Sequence, residues 1–365
     1  MPSSTSNSED YWVRPMPERS VPAKGWTAIL LAALAIALAG AAGWEIYMRQ
    51  LGLAPDLGDG KAHWAIERRK IDRGDVAVAI VGSSRILFNT NLDEFERLTG
   101  TRPVQLALPG TPPRAFLHDL AEDPDFRGVA IVGVTPGLFF GPWEGLMANA
   151  IKYPREQTPS ERMSYWLSRP LKLTFAFLDD EYRPFKHIER LRLPPRTHDE
   201  PYGDVWKIAT THADRQTYLW KRVETDPYVR AHAVHAWAAG PKRPPLPQPQ
   251  IDKVIAGTVR DVAAIRARGG EVVFVNSSAN GGFLIRETMG MPRARTWEPL
   301  LARTRAAGFH YADHDATRGL VTVEDSHLNP RDAVRFTRAY VSWLQAELAR
   351  RGRRIGDIGK QPALR

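Results

Sequence analysis

Three short apolar runs, each closed by a polar turn, dominate the first half of the chain. Residues 76–81 (VAVAIV) end in Gly82-Ser83-Ser84-Arg85, and residues 104–108 (VQLAL) end in Pro109-Gly110. Residues 129–134 (VAIVGV) end in Thr135-Pro136. Their length and β-branched content predict buried strands. Residues 91–98 and 113–121 lie between them with helical patterning and a capping Asn91. Strand–helix–strand–helix–strand with short connections predicts an α/β fold with a doubly wound, mostly parallel sheet.

The rhythm stops after Gly137 and resumes at Ile251. A helix is expected over 251–268, a strand over 271–275, a helix over 297–307, a short strand over 309–312 and a closing helix over 331–351. The first part of the α/β domain is therefore 61–137 and the second 251–351. The interval 138–250 reads as a largely helical insertion, ending in the extended linker PKRPPLPQPQ at 241–250. It would lie over the crevice as a lid. The tail 352–365 reads as loose.

Residues 25–44 carry no charge over twenty positions. At helical rise they cover about 30 Å, one hydrocarbon core. Trp26 stands at one end, and Trp44 and Tyr47 at the other, where aromatic belts lie. Ala39-Gly40-Ala41 would pass as a signal-peptide cleavage site. The 24 residues before the run hold acids as well as bases, a poor signal n-region, so an uncleaved transmembrane helix over 25–47 is expected. Residues 1–24 read as a disordered lead. Arg14, Arg19 and Lys24 before the run, against Arg49 and Lys61 after it, favour a cytoplasmic N-terminus. The α/β domain would then be extracytoplasmic, on a single-pass protein of the inner (cytoplasmic) membrane.

The chain has no cysteine, which excludes disulfides, Cys-ligated zinc, iron–sulfur clusters and thiol catalysis. Its net charge of +9 comes with no Walker loop, zinc finger or RNA-binding aromatic signature, so no nucleic acid partner is expected. No cofactor and no metal are expected. His232 and His235 have helical spacing but no evident third ligand. His310 and His314 read as surface or loop residues, and Arg350, Arg351, Arg353 and Arg354 as a solvated helix end. Trp143, Trp166, Trp206, Trp220 and Trp237 fall in the insertion, where burial in its own core is favoured over stacking on sugars.

Open α/β sheets bind ligands beyond the carboxyl ends of their strands. The loops after Gly82, Pro109 and Asn276 lie there, and Asp325-Ser326-His327 precedes the last helix. A serine at a strand-to-helix turn exposes its hydroxyl and brings its own N–H to an oxyanion. His327 would serve as base, with Asp325 or Glu324 orienting it. Gly110 lets a second backbone N–H approach, and Arg85 borders the same turn.

The set GSSR, LALPG and SHLNP, in this order on these strands, resembles the SGNH (GDSL-like) hydrolase and acyltransferase superfamily. It is similar to the membrane-anchored members, DltD-like and alginate O-acetylation proteins. The resemblance covers about 75–140 and 250–350. It implies an SGNH/flavodoxin-like sheet, Ser84 as nucleophile, His327 as catalytic base and Gly110 in the second block. Glu324 would be the acid in Asp-x-x-His spacing, and Asp325 in Asp-x-His spacing. It further implies O-acyl transfer or deacylation on an envelope polysaccharide or glycan beside a membrane-bound O-acyltransferase. The chain departs from the pattern at Ser83, where the family has Asp, and in the third block, which lacks its Asn. Thr135, Asn276 or Asn280 would fill that place; loss of one oxyanion donor costs about 100- to 1,000-fold in rate. Two other classes remain open: a non-catalytic envelope protein of the same fold that binds a glycan or an assembly partner, and a soluble or lipid-directed esterase.

Overall fold

The computed structural model describes residues 25–74, 76–142, 148–190, 207–238 and 245–358. The lead 1–24, Trp143, Trp206, positions 241–244 of the linker and 359–365 of the tail lie outside the described residues. The chain divides into two compact units, 1–47 and 48–365. The first is built on the helix Trp26–Gln50. Among the described residues it is the one helix long and apolar enough to cross a membrane, with a mean hydropathy of 2.0 in its apolar stretch. The Trp44 and Tyr47 rings sit 5.5 Å apart near its end.

The second unit is an α/β domain. Its strands are β1 (Val78–Val81), β2 (Val104–Gln105), β3 (Val129–Gly133), β4 (Ala209–Thr211), β5 (Thr217–Leu219), β6 (Glu271–Asn276) and β7 (Ala307–His310). Five form one sheet in the order β2-β1-β3-β6-β7. Every neighbouring pair in it is parallel, with Val78 beside Val129, Val129 beside Glu271 and Val273 beside Ala307. The chain winds outward from β1 to β2 and then back across β1 to β3. That reversal is a topological switch point, where doubly wound sheets open a crevice.

Alternation along the strands gives the sheet two buried faces. Ala79, Val81, Ala130, Val132, Val272 and Phe274 face a core with Trp64, Phe116, Leu120, Ile251, Ile255 and Leu300. Those residues come from the helices Lys61–Ile71, Pro113–Glu122, Gln248–Ala267 and Trp297–Thr304. On the opposite face Phe309 meets Phe336 and Tyr340 of the helix Pro330–Arg350, with ring centroids 5.8 and 6.3 Å apart.

The described part of the insertion is largely helical, as expected, but also holds two short strands. β4 and β5 form an antiparallel hairpin whose turn carries Arg215 at φ +62°. Fully buried, Arg215 donates to the carbonyls of Gln105 and Ala107, each at 2.7 Å, and pairs with Asp59. Trp64 Nε1 donates to the Leu106 carbonyl at 2.9 Å. The hairpin thus closes the outer edge of β2, an exposed edge being a pairing hazard. Two further expectations change. Gln248–Gln250 are not extended linker but the first turn of the helix Gln248–Ala267, started by Pro247. The described start of the tail is packed down by Ile355 and Ile358, both buried.

Candidate active site at the sheet switch point

The turn after β1 is shaped by close approach. A Cβ on Gly82 would stand 2.1 Å from Ile86 Cγ2, and one on Gly133 2.5 Å from Ile86 Cβ. Two glycines at the ends of β1 and β3 therefore let the helix Ser84–Asn89 settle directly onto the strand ends. Ser84, half-buried, is its first residue. Ser83 lies beneath it and shares a 2.7 Å hydrogen bond with the Thr135 hydroxyl, tying the β1 and β3 turns together.

His327 is brought to this helix from the far end of the chain. The Leu328 N–H donates to Asn89 Oδ1 at 3.0 Å, and the Val323 N–H to the His327 carbonyl at 2.8 Å. The His327 ring stacks on Phe88 with centroids 4.2 Å apart, and Trp237 meets it edge-on at 6.2 Å. Glu324 orients the ring: its Oε1 accepts from Nδ1 and its Oε2 from the His327 N–H at 3.2 Å. A carboxylate only accepts, so Nδ1 carries a proton, and in the neutral form of the ring the lone pair is then at Nε2. Both residues are almost wholly buried, and among the described residues Nε2 has no hydrogen-bond partner.

Asp325 takes no part in this. Its φ of +72° turns it away from the imidazole, and its carboxylate faces Gly281 and accepts weakly from the Gly282 N–H at 3.4 Å. Asn276 and Asn280 stay out of the site as well. Asn276 donates to the Val134 carbonyl at 2.9 Å, and Asn280 accepts from the Thr322 N–H and hydroxyl at 2.7 and 2.8 Å. Each is consumed by holding neighbouring loops.

Ser84, Arg85, Gly110, Thr135 and His327 line one cavity of about 1030 Å³. That is at the upper end of small-molecule sites. Gly110 adopts φ +59°, which favours glycine. Arg85 is 3% exposed and pairs with Glu287 at 2.7 Å, while its Nε reaches the Ser326 hydroxyl at 3.4 Å. Among the described residues its Nη1 and Nη2 lack an aligned hydrogen-bond acceptor. The guanidinium lies over the Phe283 ring, 5.0 Å from the centroid.

The insertion supplies much of the cavity wall, including Leu138, Trp237 and Lys207. Lys207 is buried between Asp56, at 2.7 Å, and Asp179. Burial pulls its ammonium down, but the two carboxylates outweigh it and raise it above its ordinary value. The tryptophans of the insertion have separate fates: Trp220 is buried, Trp237 borders His327 and Trp166 is 49% exposed.

Phe88 and Glu287 were not singled out from the sequence. Phe88 follows Ser84 by one helical turn, a spacing that places both on one face. Nothing local marks Glu287. His310 is buried rather than a surface residue, its ring against Trp297 at 5.4 Å. Nor are the C-terminal arginines simply solvated, since Arg353 donates to the Gly270 carbonyl and to Glu271, both at 3.2 Å. Among the described residues no group of three His, Asp or Glu is placed to hold a metal ion. The chain matches no protein-family model, and no curated protein matches it.

Proposed function

We propose that this protein is a membrane-anchored serine acyl esterase or O-acyltransferase of the SGNH kind, acting on an envelope polysaccharide or related glycan. The observation that carries the reading is His327. Its imidazole is buried, held at Nδ1 by a carboxylate and, among the described residues, without a partner at Nε2, in the cavity that Ser84 also lines. A partnerless buried nitrogen is costly unless an incoming group uses it.

In this mechanism Ser84 Oγ attacks the acyl carbonyl while Nε2 takes the hydroxyl proton. The alkoxide leaving group then takes that proton as the acyl–O bond breaks. Water or an acceptor hydroxyl attacks the acyl-serine, giving its proton to Nε2, which returns it to Ser84 Oγ as the acyl–Oγ bond breaks. Attack requires Ser84 Oγ to close onto Nε2, and such bonds are commonly open before substrate binds. The Ser84 N–H, the Gly110 turn and Thr135 surround the place where the oxyanion develops. Helix Trp26–Gln50 would anchor the domain on the outer side of the inner membrane, beside a membrane-bound O-acyltransferase that supplies the acyl group.

A second reading is a lipid-directed esterase. It is favoured by the apolar cavity wall of Phe88, Leu138, Trp237, Leu246, Phe283 and Met291. Hydrolysis of p-nitrophenyl acetate by the full chain in detergent, beside Ser84→Ala, tests the nucleophile. Loss of rate in the variant supports acyl chemistry, and a chain-length series of esters separates the two readings. Equal background rates for both proteins would favour a non-catalytic, glycan-binding role.

A further inference from the structure

The helix Gly281–Gly290 borders the cavity at Ser84 without belonging to the core. Phe283, Arg286, Glu287 and Met289 line that cavity, yet none of the helix is buried. Its own structure is weakly held. Three of its ten residues are glycine, which weakens a helix relative to alanine. Asn280, the residue ahead of it, gives its first turn no side-chain cap, because Oδ1 is taken by the Thr322 N–H at 2.7 Å. Gly281 turns at φ +48°, where a Cβ would stand 2.1 Å from Asp325 Oδ2. A Cβ on Gly290, at the other end, would meet nothing within 4 Å. What ties the helix down is Arg85, the neighbour of Ser84. Its guanidinium pairs with Glu287 at 2.7 Å and lies over Phe283, whose ring also meets Trp237 at 6.3 Å.

We propose that this helix is a flap, hinged at Gly281–Gly282 and at Gly290 and latched by Glu287 on Arg85, whose opening admits substrate to the cavity and bares a guanidinium beside Ser84. The role in admitting substrate rests on the reading of Ser84 as nucleophile; the opening itself does not. Arg85 is 3% exposed, and among the described residues its Nη1 and Nη2 have no aligned acceptor. A buried cation in a poorly aligned pair recovers little of its lost hydration, so opening, which returns the guanidinium to water, is cheap. A segment with few buried contacts and exposed backbone opens locally, well below the cost of global unfolding. Removing the Glu287 charge leaves Arg85 buried and unpaired, and the open state is then favoured further.

Two measurements on the detergent-solubilised full chain test this. In hydrogen exchange, amides of 283–290 should exchange about a hundred-fold faster than those of β6, and about ten-fold faster again in Glu287→Gln. Asp252→Asn, which breaks the exposed pair with Arg303, should leave them at the wild-type rate. The absence of cysteine allows the second: Ser84→Cys places a single thiol in the cavity. Its labelling by bulky fluorescein maleimide, relative to small methyl methanethiosulfonate, should rise about ten-fold when Glu287→Gln is added. Protection of 283–290 equal to that of β6 overturns the proposal, and so does exchange unmoved by Glu287→Gln. An unchanged labelling ratio overturns it as well, because the helix then does not control access. Neither readout uses ester hydrolysis. Failure of the esterase reading would show separately, as wild-type hydrolysis of p-nitrophenyl acetate by Ser84→Ala.

Discussion

Glu324→Gln separates the chemistry at His327 from the packing around it. The carboxylate is wholly buried and spends both oxygens on His327, one on Nδ1 and one on the backbone N–H at 3.2 Å. Glutamine fills the same space. If its Oε1 keeps the backbone N–H, its amide N–H groups face Nδ1. An amide nitrogen cannot accept, so Nδ1 must, and the ring proton moves to Nε2. In the proposed mechanism the base would then offer a donor where it must accept the Ser84 proton. In a serine triad that change of tautomer costs about 10⁴-fold in kcat, about 5.5 kcal/mol of barrier. If the amide flips, the tautomer survives but the negative charge that stabilises the imidazolium is lost. The expected fall therefore lies between about 10²- and 10⁴-fold. The assay is the initial rate of p-nitrophenyl acetate hydrolysis by the detergent-solubilised full chain, with Asp325→Asn as the partner variant. Asparagine tolerates positive φ, and the Asp325 carboxylate faces Gly281 rather than the ring, so Asp325→Asn keeps the wild-type rate. A wild-type rate in Glu324→Gln, or a collapse confined to Asp325→Asn, would refute the assignment of the acid.

Three further outcomes follow from the packing. Gly133→Ala drives a methyl to 2.5 Å from Ile86 and should lose about 1–3 kcal/mol in urea unfolding, with a displaced Ser84 turn lowering esterase rate as well. An unchanged midpoint would mean that the helix Ser84–Asn89 is not clamped by the strand ends. Arg215→Ala strips the β2 edge of its two carbonyl partners and leaves Asp59 without its cation, at a cost of about 3–5 kcal/mol. Chemical denaturation reads this directly, and a loss under about 1 kcal/mol would remove the edge-clamp argument. Burial, helped by the Arg293 charge, lowers His310 to about 4. A folded pKa below the unfolded value means that the unfolded chain takes up the proton first. Stability should therefore fall as pH drops from about 6.5 to about 4 and level off below, by at most about 3 kcal/mol. The Ala312 N–H donates to Nδ1 at 3.2 Å, so His310→Asn, which keeps an acceptor there, should flatten that part of the Tm–pH profile. An unchanged slope would assign it to other groups.

The parts of this fold readable in the sequence are those set by near neighbours. β1, β3 and β6 are short apolar runs buried on both faces, and such runs carry their signal in four to six residues. The helices Leu92–Thr99 and Pro330–Arg350 begin at Asn91 and Asn329, whose side chains accept from Glu94 and Asp332 three residues on. The hairpin β4–β5 was not readable, because its three-residue strands carry no alternation long enough to count. It exists to serve β2, about 110 residues earlier, through Arg215. The helix Gly281–Gly290 carries little signal in the sequence, since its glycine-rich start resembles a turn and none of its residues is buried.

The sequence by itself determined the winding of the sheet, the apolar N-terminal helix and the set of polar loops that meet beyond the strand ends. These are consequences of hydrophobic periodicity and chain connectivity, which act locally. Only the tertiary structure chose among the candidates in those loops. Glu324 and Asp325 are adjacent and chemically alike. A single positive φ sends one carboxylate to the imidazole and the other to a glycine. Asn276 and Asn280 are equally polar, yet loops elsewhere in the chain claim their hydrogen bonds. Partners of this kind are fixed by backbone direction and by residues far away in the chain, because a buried polar atom must be satisfied by whatever the fold brings within reach.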